Sequence, residues 1–251
     1  PNLSRHVITY GFNEYAQVRA SIPKRVDGKM CFSVNRQIGS VIFPPLRVRL
    51  NCLGKHNVLN SLAAIALATE LEIDDDVICQ ALETFQGVGR RLESYGNVKL
   101  GTKRVTLYDD YGHHPSEVEP TLAAIREAYP QKRLVLVFQP HRYTRTRDFF
   151  DEFVRVLSKA DVLIMTEVYE AGELPIPGVD SAGIARSIRM ISGLNPVCVR
   201  GVEMALNVLV KLIEDDDVII TMGAGTIGSL PSAIVLASKQ SQPEKSNRVE
   251  I

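Results

Sequence analysis

The feature that most restricts the fold is a regular alternation of strand-like and helix-like segments from Leu92 to Gln240. Short runs of β-branched and aliphatic residues, typical of buried strands, are separated by longer segments in which apolar residues have helical spacing. The predicted strands are 92–97, 105–109, 134–138, 162–166, 196–199 and 218–222, and the predicted helices are 115–129, 146–158, 181–191, 203–213 and 226–240. This alternation predicts an α/β fold with a doubly wound, mostly parallel sheet.

The segment before Leu92 has a different pattern. Short strands are predicted at 7–10, 17–22, 29–35 and 37–43, with Asp27-Gly28 as a hairpin turn and Pro44-Pro45 as turn residues, followed by helices at 54–71 and 74–85. Glycines and paired arginines then interrupt the pattern at 87–91. We therefore predict a domain at 1–91, a Rossmann-like domain at 92–240 and a frayed polar tail at 241–251. A few edge strands make a poor independent start, so an upstream portion is also expected.

Composition limits the classes of partner. The 251 residues include 29 basic and 29 acidic side chains, a balance that gives no indication of nucleic acid or of an acidic membrane surface. No apolar run approaches the roughly 20 residues that span a bilayer, and the cysteines lack the spacing of a zinc site or a disulfide framework. A cytoplasmic protein with no membrane or nucleic-acid partner is expected, and its oligomeric state is not determined by the sequence.

A polar loop follows the predicted strand 105–109, in the segment V-T-L-Y-D-D-Y-G-H-H-P. Ligands of open α/β sheets bind at the carboxyl ends of strands, so a substrate-facing loop is the favoured interpretation. Asp109, Asp110, His113 and His114 are residue types that bind metals, but adjacent side chains diverge and no further histidine or cysteine is spaced to join them. No metal site is therefore predicted. The alternative is helix capping and turn formation by Asp110 and Gly112.

A second polar loop follows strand 134–138, in the segment Q-P-H-R-Y-T-R-T-R-D. Cations at a helix start are disfavoured by roughly 0.3–1 kcal/mol each, so their presence indicates an anionic ligand. Arg142 and Arg145 are spaced to share a helix face, and a guanidinium fork suits a carboxylate or phosphate. The alternative is a solvated basic face neutralised by Asp148 and Asp151. The two polar loops are expected to face the same crevice.

Three other motifs allow more than one interpretation. The segment T-M-G-A-G-T-I-G contains G-x-G-x-x-G, but it closes the last predicted unit instead of opening one. A tight turn whose amides face a ligand is therefore favoured over a dinucleotide site. The segment G-K-H-N at 54–57 lacks phosphate-loop spacing, and Asn57 has a plain helix cap as its alternative. For Arg90 and Arg91 the alternative interpretation is a salt bridge at a hinge.

Taken together and in order, five segments resemble the Mur ligases. They are L-G-K-H-N-x-x-N-x-x-A-A, G-V-G-R-R, Y-D-D-Y-G-H-H-P, F-Q-P-H-R-Y-T-R-T-R and M-G-A-G, and the resemblance covers essentially the whole chain. The family implies a UDP-binding domain, a central ATPase domain and a carboxyl-terminal domain that brings in the amino acid. Residues 1–91 resemble the second half of the central domain and 92–240 the carboxyl-terminal one. The phosphate loop and the magnesium-binding residues would precede residue 1, so the chain is expected to be inactive alone.

The resemblance also implies a reaction and a set of site residues. ATP, with Mg²⁺, would activate UDP-N-acetylmuramate as an acyl phosphate, which the amine of L-alanine attacks to form an amide. Arg142, Arg145 and His113 would act on the carboxylates and the tetrahedral intermediate. The residues implied to hold the nucleotide are His56, Asn57, Arg91, Asp110 and Tyr111. The alternatives are a relative that adds a tripeptide to the same sugar nucleotide, a non-catalytic nucleotide-binding domain and, more distantly, a dehydrogenase.

Overall fold

The computed structural model describes residues 7–240, which form two compact units. One unit contains the described residues up to Val88 together with Ala123–Ala128. The other contains Gly89–Leu122 and the described residues from Tyr129 onward. The polar tail predicted at 241–251 lies outside the described residues.

The first unit is built on a five-stranded sheet. Its strands are Tyr10–Gly11 (β1), Val18–Ala20 (β2), Lys24–Val26 (β3), Lys29–Ile38 (β4) and Val41–Leu50 (β5). β1 pairs with β2 in parallel, and the other pairings are antiparallel. The predicted Asp27-Gly28 hairpin is confirmed, because both residues have positive φ and Val26 pairs with Lys29 across the turn.

The strand predicted at 37–43 is wrong, and β3 was not predicted. The chain reverses between Ile38 and Val41, and β5 then continues through Pro44 and Pro45. These prolines lie where the β4–β5 register shifts, between the pairs Val34–Leu46 and Arg36–Phe43. A bulge in a strand paired on one side tolerates proline, because the missing N–H is not needed in the ladder.

Two helices, Lys55–Glu70 (α1) and Asp75–Thr84 (α2), pack against this sheet. The buried core joins Val58, Leu62 and Ile65 of α1 to alternate residues of β4 and β5. The helix cap of α1 is Gly54, with a φ of 92° and no side-chain hydrogen bond. The alternative of Asn57 as a plain cap is therefore wrong; its side-chain amide instead donates to the Leu53 carbonyl at 2.8 Å.

The second unit contains a six-stranded sheet in the order β10-β9-β8-β11-β7-β6. Its strands are Glu93–Leu100 (β6), Lys103–Asp110 (β7), Leu134–Phe138 (β8), Val162–Met165 (β9), Val197–Cys198 (β10) and Val218–Met222 (β11). All neighbours pair in parallel except β6, which forms an antiparallel hairpin with β7 at the edge. The predicted mostly parallel α/β fold is confirmed.

Helices cover both faces of this sheet, as a doubly wound fold requires. The helices from residue 115 onward are Pro115–Ala128 (α3), Tyr143–Asp148 (α4), Phe150–Leu157 (α5), Ser181–Ser192 (α6), Gly201–Leu212 (α7) and Leu230–Gln240 (α8). On one face Val135 and Val137 of β8 join a core cluster with α7 and α8. On the other face the ring of Phe138 lies 5.7 Å from that of Phe153 on α5.

Two predicted helices differ from the observed ones. The helix expected at 146–158 is α4 followed by α5, because Phe149 leaves the helical region with φ −118° and ψ 30°. The helix expected at 226–240 begins as a 3₁₀ turn, Thr226–Ser229, before α8 starts. No helix within residues 7–240 has the length and apolar character needed to cross a membrane.

Candidate active site

The polar loops singled out in the sequence begin side by side. Met222 at the end of β11 is in register with Asp110 at the end of β7 and with Phe138 at the end of β8. The segments 111–114, 139–142 and 223–225 therefore start at one edge of the sheet. The predicted proximity of these loops is confirmed, and it follows from parallel pairing around the central β11.

An ion pair between Arg90, which is half-buried, and the fully buried Asp109 joins these strand ends. Arg90 Nε donates to Asp109 Oδ2 at 2.8 Å, and Arg90 Nη2 donates to the Gly223 carbonyl at 2.6 Å. Asp109 is fully buried, and its other carboxylate oxygen accepts from Thr221 Oγ1 at 2.6 Å. Arg90 thus links the chain before β6 to the ends of β7 and β11. The hinge salt bridge considered for the arginine pair describes Arg90 better than Arg91.

Asp110 is also buried, and it binds backbone. Its two carboxylate oxygens accept from the amides of Leu92 and Gly112, each at 2.7 Å. Burial raises the pKa of the Asp110 carboxyl, and the Gly112 and Leu92 amides oppose part of that rise. The turn chemistry considered for Asp110 and Gly112 is present in the structure. A direct role of Asp110 in nucleotide binding stays a prediction.

Arg91 and Tyr111 form an exposed pair. The Arg91 guanidinium lies 5.5 Å from the centre of the Tyr111 ring, within the range of a cation–π contact. Its Nη1 atom is 3.3 Å from Glu117 Oε1, and half of the Arg91 side chain is exposed. A planar cation beside an accessible ring offers surfaces for both a phosphate and a base.

Glu117, in the first turn of α3, organises the loop after β7. Its Oε2 atom accepts from the backbone amides of His113 at 3.0 Å and His114 at 3.2 Å, and lies 3.5 Å from His113 Nδ1. Burial alone would raise the pKa of the Glu117 carboxyl, but His113, Arg91 and the amides together lower it. The sequence placed Glu117 at a helix start without assigning it to the site. Its spacing after the loop is that of a capping residue.

His141 stacks on a ring that sequence analysis did not identify. Its imidazole lies 5.3 Å from the Tyr169 ring at an interplanar angle of 20°. Arg145 Nη1 donates to the His141 carbonyl at 3.1 Å and lies 3.2 Å from His141 Nδ1. Burial lowers the pKa of His141, and its proximity to His113 and Arg145 lowers it further. These surroundings favour the neutral form of the His141 imidazole.

Arg142 has a strained backbone and a weakly bound side chain. Its φ of 71° lies in the left-handed region, which costs a non-glycine residue about 1–2 kcal/mol. Its Nη1 atom lies 3.4 Å from Glu173 Oε1, and 47% of the side chain is exposed. Glu173 is bound more tightly to Thr144, whose amide and hydroxyl donate at 2.9 and 2.7 Å. The Arg142 guanidinium is thus free to exchange Glu173 for another carboxylate.

The glycine-rich segment after β11 is fitted to the loop after β8. A Cβ atom on Gly225 would lie 2.4 Å from Gln139 Oε1 and 2.6 Å from Tyr169 Cγ, so no larger residue fits. The buried Gln139 side chain donates to Thr226 Oγ1 and accepts from the Ile227 amide, both at 3.0 Å. Close packing of the turn therefore explains this glycine without a dinucleotide.

The structure places the predicted site residues in different units. Arg91, Asp110, Tyr111, His113, Arg142 and Arg145 belong to the second unit, whereas His56 and Asn57 belong to the first. His56 Nδ1 is buried without a hydrogen-bond partner among the described residues, and burial lowers the pKa of this imidazole. Within residues 7–240 no group of three histidine, cysteine or acidic side chains is arranged to bind a metal ion.

The fold and the site define a Rossmann-like domain that has cationic side chains and histidines at the carboxyl-terminal ends of its parallel strands, the carboxyl edge of the sheet. A family model described as "Mur ligase, glutamate ligase domain" matches residues 90–225, more than half of the chain. The chain belongs to the Mur ligase family.

Individual proteins of known name are also similar to this chain. The UDP-N-acetylmuramate–L-alanine ligase of Ralstonia nicotianae is 49% identical over 100% of this chain, which covers 52% of that protein. A crystal structure of the Thermotoga maritima UDP-N-acetylmuramate–alanine ligase matches with a TM-score of 0.72 and 26% identity, over 94% of this chain and 48% of the other. The Thermotoga maritima MurF ligase in complex with ADP shares the fold, with a TM-score of 0.63, 15% identity and coverage of 94% and 49%. The chain spans about half the length of the relatives it matches.

Proposed function

We propose that this chain is part of an ATP-dependent ligase that joins L-alanine to UDP-N-acetylmuramate in peptidoglycan precursor synthesis. The observation that supports this most strongly is 49% identity over the whole chain to a relative of that name. In this proposal residues 1–91 contribute to the ATP-binding domain, and residues 92–240 form the domain that presents the amino acid.

The geometry of the carboxyl edge supports specific roles for the residues assigned to the reaction. In the proposed reaction the γ-phosphoryl group of ATP passes to the muramoyl carboxylate, and the alanine amine displaces phosphate from the resulting acyl phosphate. Such reactions depend on positioning and on stabilising dispersed negative charge. Arg142 and Arg145 are assigned to the substrate carboxylates and the tetrahedral intermediate, with His113 beside them. The exposed, weakly paired Arg142 guanidinium suits that role.

Features of several individual residues support their assignment to ATP in this proposal. His56 has a buried ring nitrogen without a partner among the described residues, as expected of a group that a ligand satisfies. Arg91 and Tyr111 present an accessible cation and ring. Asn57 and Asp110 complete the proposed set. ATP would supply the activating phosphoryl group together with Mg²⁺, whose ligands are not assigned to residues of this chain.

Product analysis tests the proposal against its alternatives. The protein encoded by the complete gene would be incubated with ATP, Mg²⁺, UDP-N-acetylmuramate and an equimolar mixture of L-alanine and a peptidoglycan tripeptide. The reaction products would then be identified by mass spectrometry. The alanyl product is expected. The tripeptide product alone would assign the chain to the related muropeptide ligase, and ATP binding without any product would favour a non-catalytic nucleotide-binding protein.

Replacing Arg91 by alanine should weaken ATP binding by about tenfold or more, because a charge-assisted hydrogen bond contributes about 1.5–3 kcal/mol. Titration calorimetry with a non-hydrolysable ATP analogue measures the effect. Arg155→Ala is the matched control, since Arg155 is also exposed and also pairs with a glutamate of α3, Glu119. Equal ATP affinity of the two variants would reduce Arg91 to a structural residue.

A further inference from the structure

We propose that His113 is the group that removes a proton from the ammonium of the incoming amino acid, and that Glu117 positions His113 for this step. The inference rests on the proposed ligase function and adds to it the identity of the base. A protonated amine has no lone pair with which to attack an acyl phosphate, so a ligase of this kind needs a proton acceptor beside the amino-acid site.

The hydrogen bonds of His113 determine which ring nitrogen is free. Its Nδ1 atom lies 3.1 Å from the Tyr111 carbonyl oxygen. A carbonyl can only accept, so Nδ1 bears the hydrogen of the neutral ring and Nε2 has the lone pair. Within residues 7–240 the structure gives Nε2 no hydrogen-bond partner. The neutral His113 ring is thus held as a proton acceptor.

The other two histidines of the second unit are unsuited to this role. Arg145 can only donate, so its contact with His141 Nδ1 at 3.2 Å places the hydrogen of neutral His141 on Nε2. The backbone amide of Ser116 donates to His114 Nδ1 at 3.2 Å, with the same consequence for that ring. His114 is also packed against Phe149, with ring centres 4.3 Å apart.

The surroundings of His113 suit a group that gains a charge during the reaction. The Glu117 carboxylate on α3 is 3.5 Å from Nδ1, so its negative charge favours the imidazolium, while the Nδ1 hydrogen is bonded to the Tyr111 carbonyl. Arg91, before β6, approaches from the far side of that carboxylate. The His141 ring, after β8, has its centre 5.5 Å from that of His113 and is bound to Arg145. The His141 ring therefore lies between the proposed base and Arg145, one of the two proposed carboxylate-binding arginines.

In the proposed step, proton transfer precedes formation of the amide bond. The ammonium gives one proton to Nε2 of His113, which becomes an imidazolium paired with Glu117. The free amine attacks the carbonyl carbon of the acyl phosphate, and a tetrahedral intermediate forms. The C–O bond to phosphate then breaks, and the departing phosphate takes the bonding electron pair and the second nitrogen proton. His113 returns its proton to solvent.

Hydroxylamine provides a test that separates the base from the rest of the site. Hydroxylamine is uncharged at neutral pH, so it attacks an acyl phosphate without a proton acceptor. His113→Gln, made in the complete gene product, should reduce alanine-dependent amide formation by about 100-fold or more. Hydroxamate formation from ATP, UDP-N-acetylmuramate and hydroxylamine should fall far less than amide formation, because hydroxylamine needs no proton acceptor. An equal loss with both acceptors, or no loss with alanine, would overturn the proposal.

Glu117→Gln tests the positioning role, because glutamine keeps an acceptor oxygen for the amides but removes the charge. Loss of that charge disfavours the imidazolium, so the acid limb of the turnover profile should move to lower pH while the maximal rate falls. Glu119→Gln is the matched control, since Glu119 is on the same helix and pairs with Arg155 and Lys159 instead. An unmoved acid limb in Glu117→Gln would contradict the positioning role. Failure of the unmodified enzyme to use alanine would contradict the ligase proposal itself, whereas the results for the variants test only the roles of His113 and Glu117.

Discussion

Replacing Arg142 by alanine should lower turnover with L-alanine by about 10²–10³-fold, the usual loss when one charge-stabilising donor is removed from an active site. ATP affinity should stay nearly unchanged. The side chain is 47% exposed, and its one ion pair among residues 7–240 is a 3.4 Å contact with Glu173, so its loss has little structural consequence. Its φ of 71° strains arginine and alanine alike, which leaves the backbone cost unaltered. Steady-state turnover and a separate ATP titration measure the two effects.

The controls for Arg142 come from the same loop and helix. Arg147→Ala removes an exposed guanidinium of α4 that pairs with its neighbour Asp148, and it should leave turnover unchanged. Arg142→Lys keeps the charge without the planar fork and should recover only part of the activity. Unaltered turnover in Arg142→Ala would remove this residue from the proposed active site.

Replacing Arg90 by alanine should destabilise the second unit by about 3–5 kcal/mol, because it leaves a buried carboxylate without its partner. Asp109 is fully buried and accepts from Arg90 at 2.8 Å. The same substitution removes the donor to the Gly223 carbonyl, so the ends of β7 and β11 lose their shared partner. Hydrogen exchange of the β7 and β11 amides measures the change in the unit where it is expected.

Arg91→Ala is the neighbouring comparison. Half of this side chain is exposed and its partner Glu117 is at 3.3 Å, so its removal should cost about 0–1 kcal/mol. Adding Asp109→Asn to Arg90→Ala should recover part of the lost stability, since the buried charge is then absent. Equal exchange rates in the Arg90 and Arg91 variants would show that the buried pair does not stabilise this edge.

Much of the fold follows from local sequence. The strands β8 and β11 are observed with the predicted bounds, because each is a short run of buried, mostly aliphatic residues ended by polar or glycine-containing segments. The same logic failed in the first unit, where β5 continues through Pro44 and Pro45. There the prolines are opposite a register shift, a feature of strand pairing that single-strand patterns do not reveal.

Part of the site could also be predicted from the sequence. Loops after parallel strands meet at one edge, so the proximity of the loops after β7 and β8 could be deduced without coordinates. Tyr169 and Glu173 could not, because they come from the loop after β9 and contact His141 and Arg142 only through the folded sheet. Arg90 and Arg91 are adjacent and chemically identical, yet the positive φ of Arg90 turns the two side chains to different partners.

The central claim, that this chain belongs to an L-alanine-adding ligase, is tested most directly by phosphate release. The complete gene product would be supplied with ATP, Mg²⁺ and UDP-N-acetylmuramate, and phosphate would be measured as L-alanine is added, with the 251-residue chain alone as the control. The account predicts release by the complete product that requires L-alanine, with one phosphate for each amide formed. Release that is indifferent to L-alanine, or that requires a tripeptide instead, would contradict it.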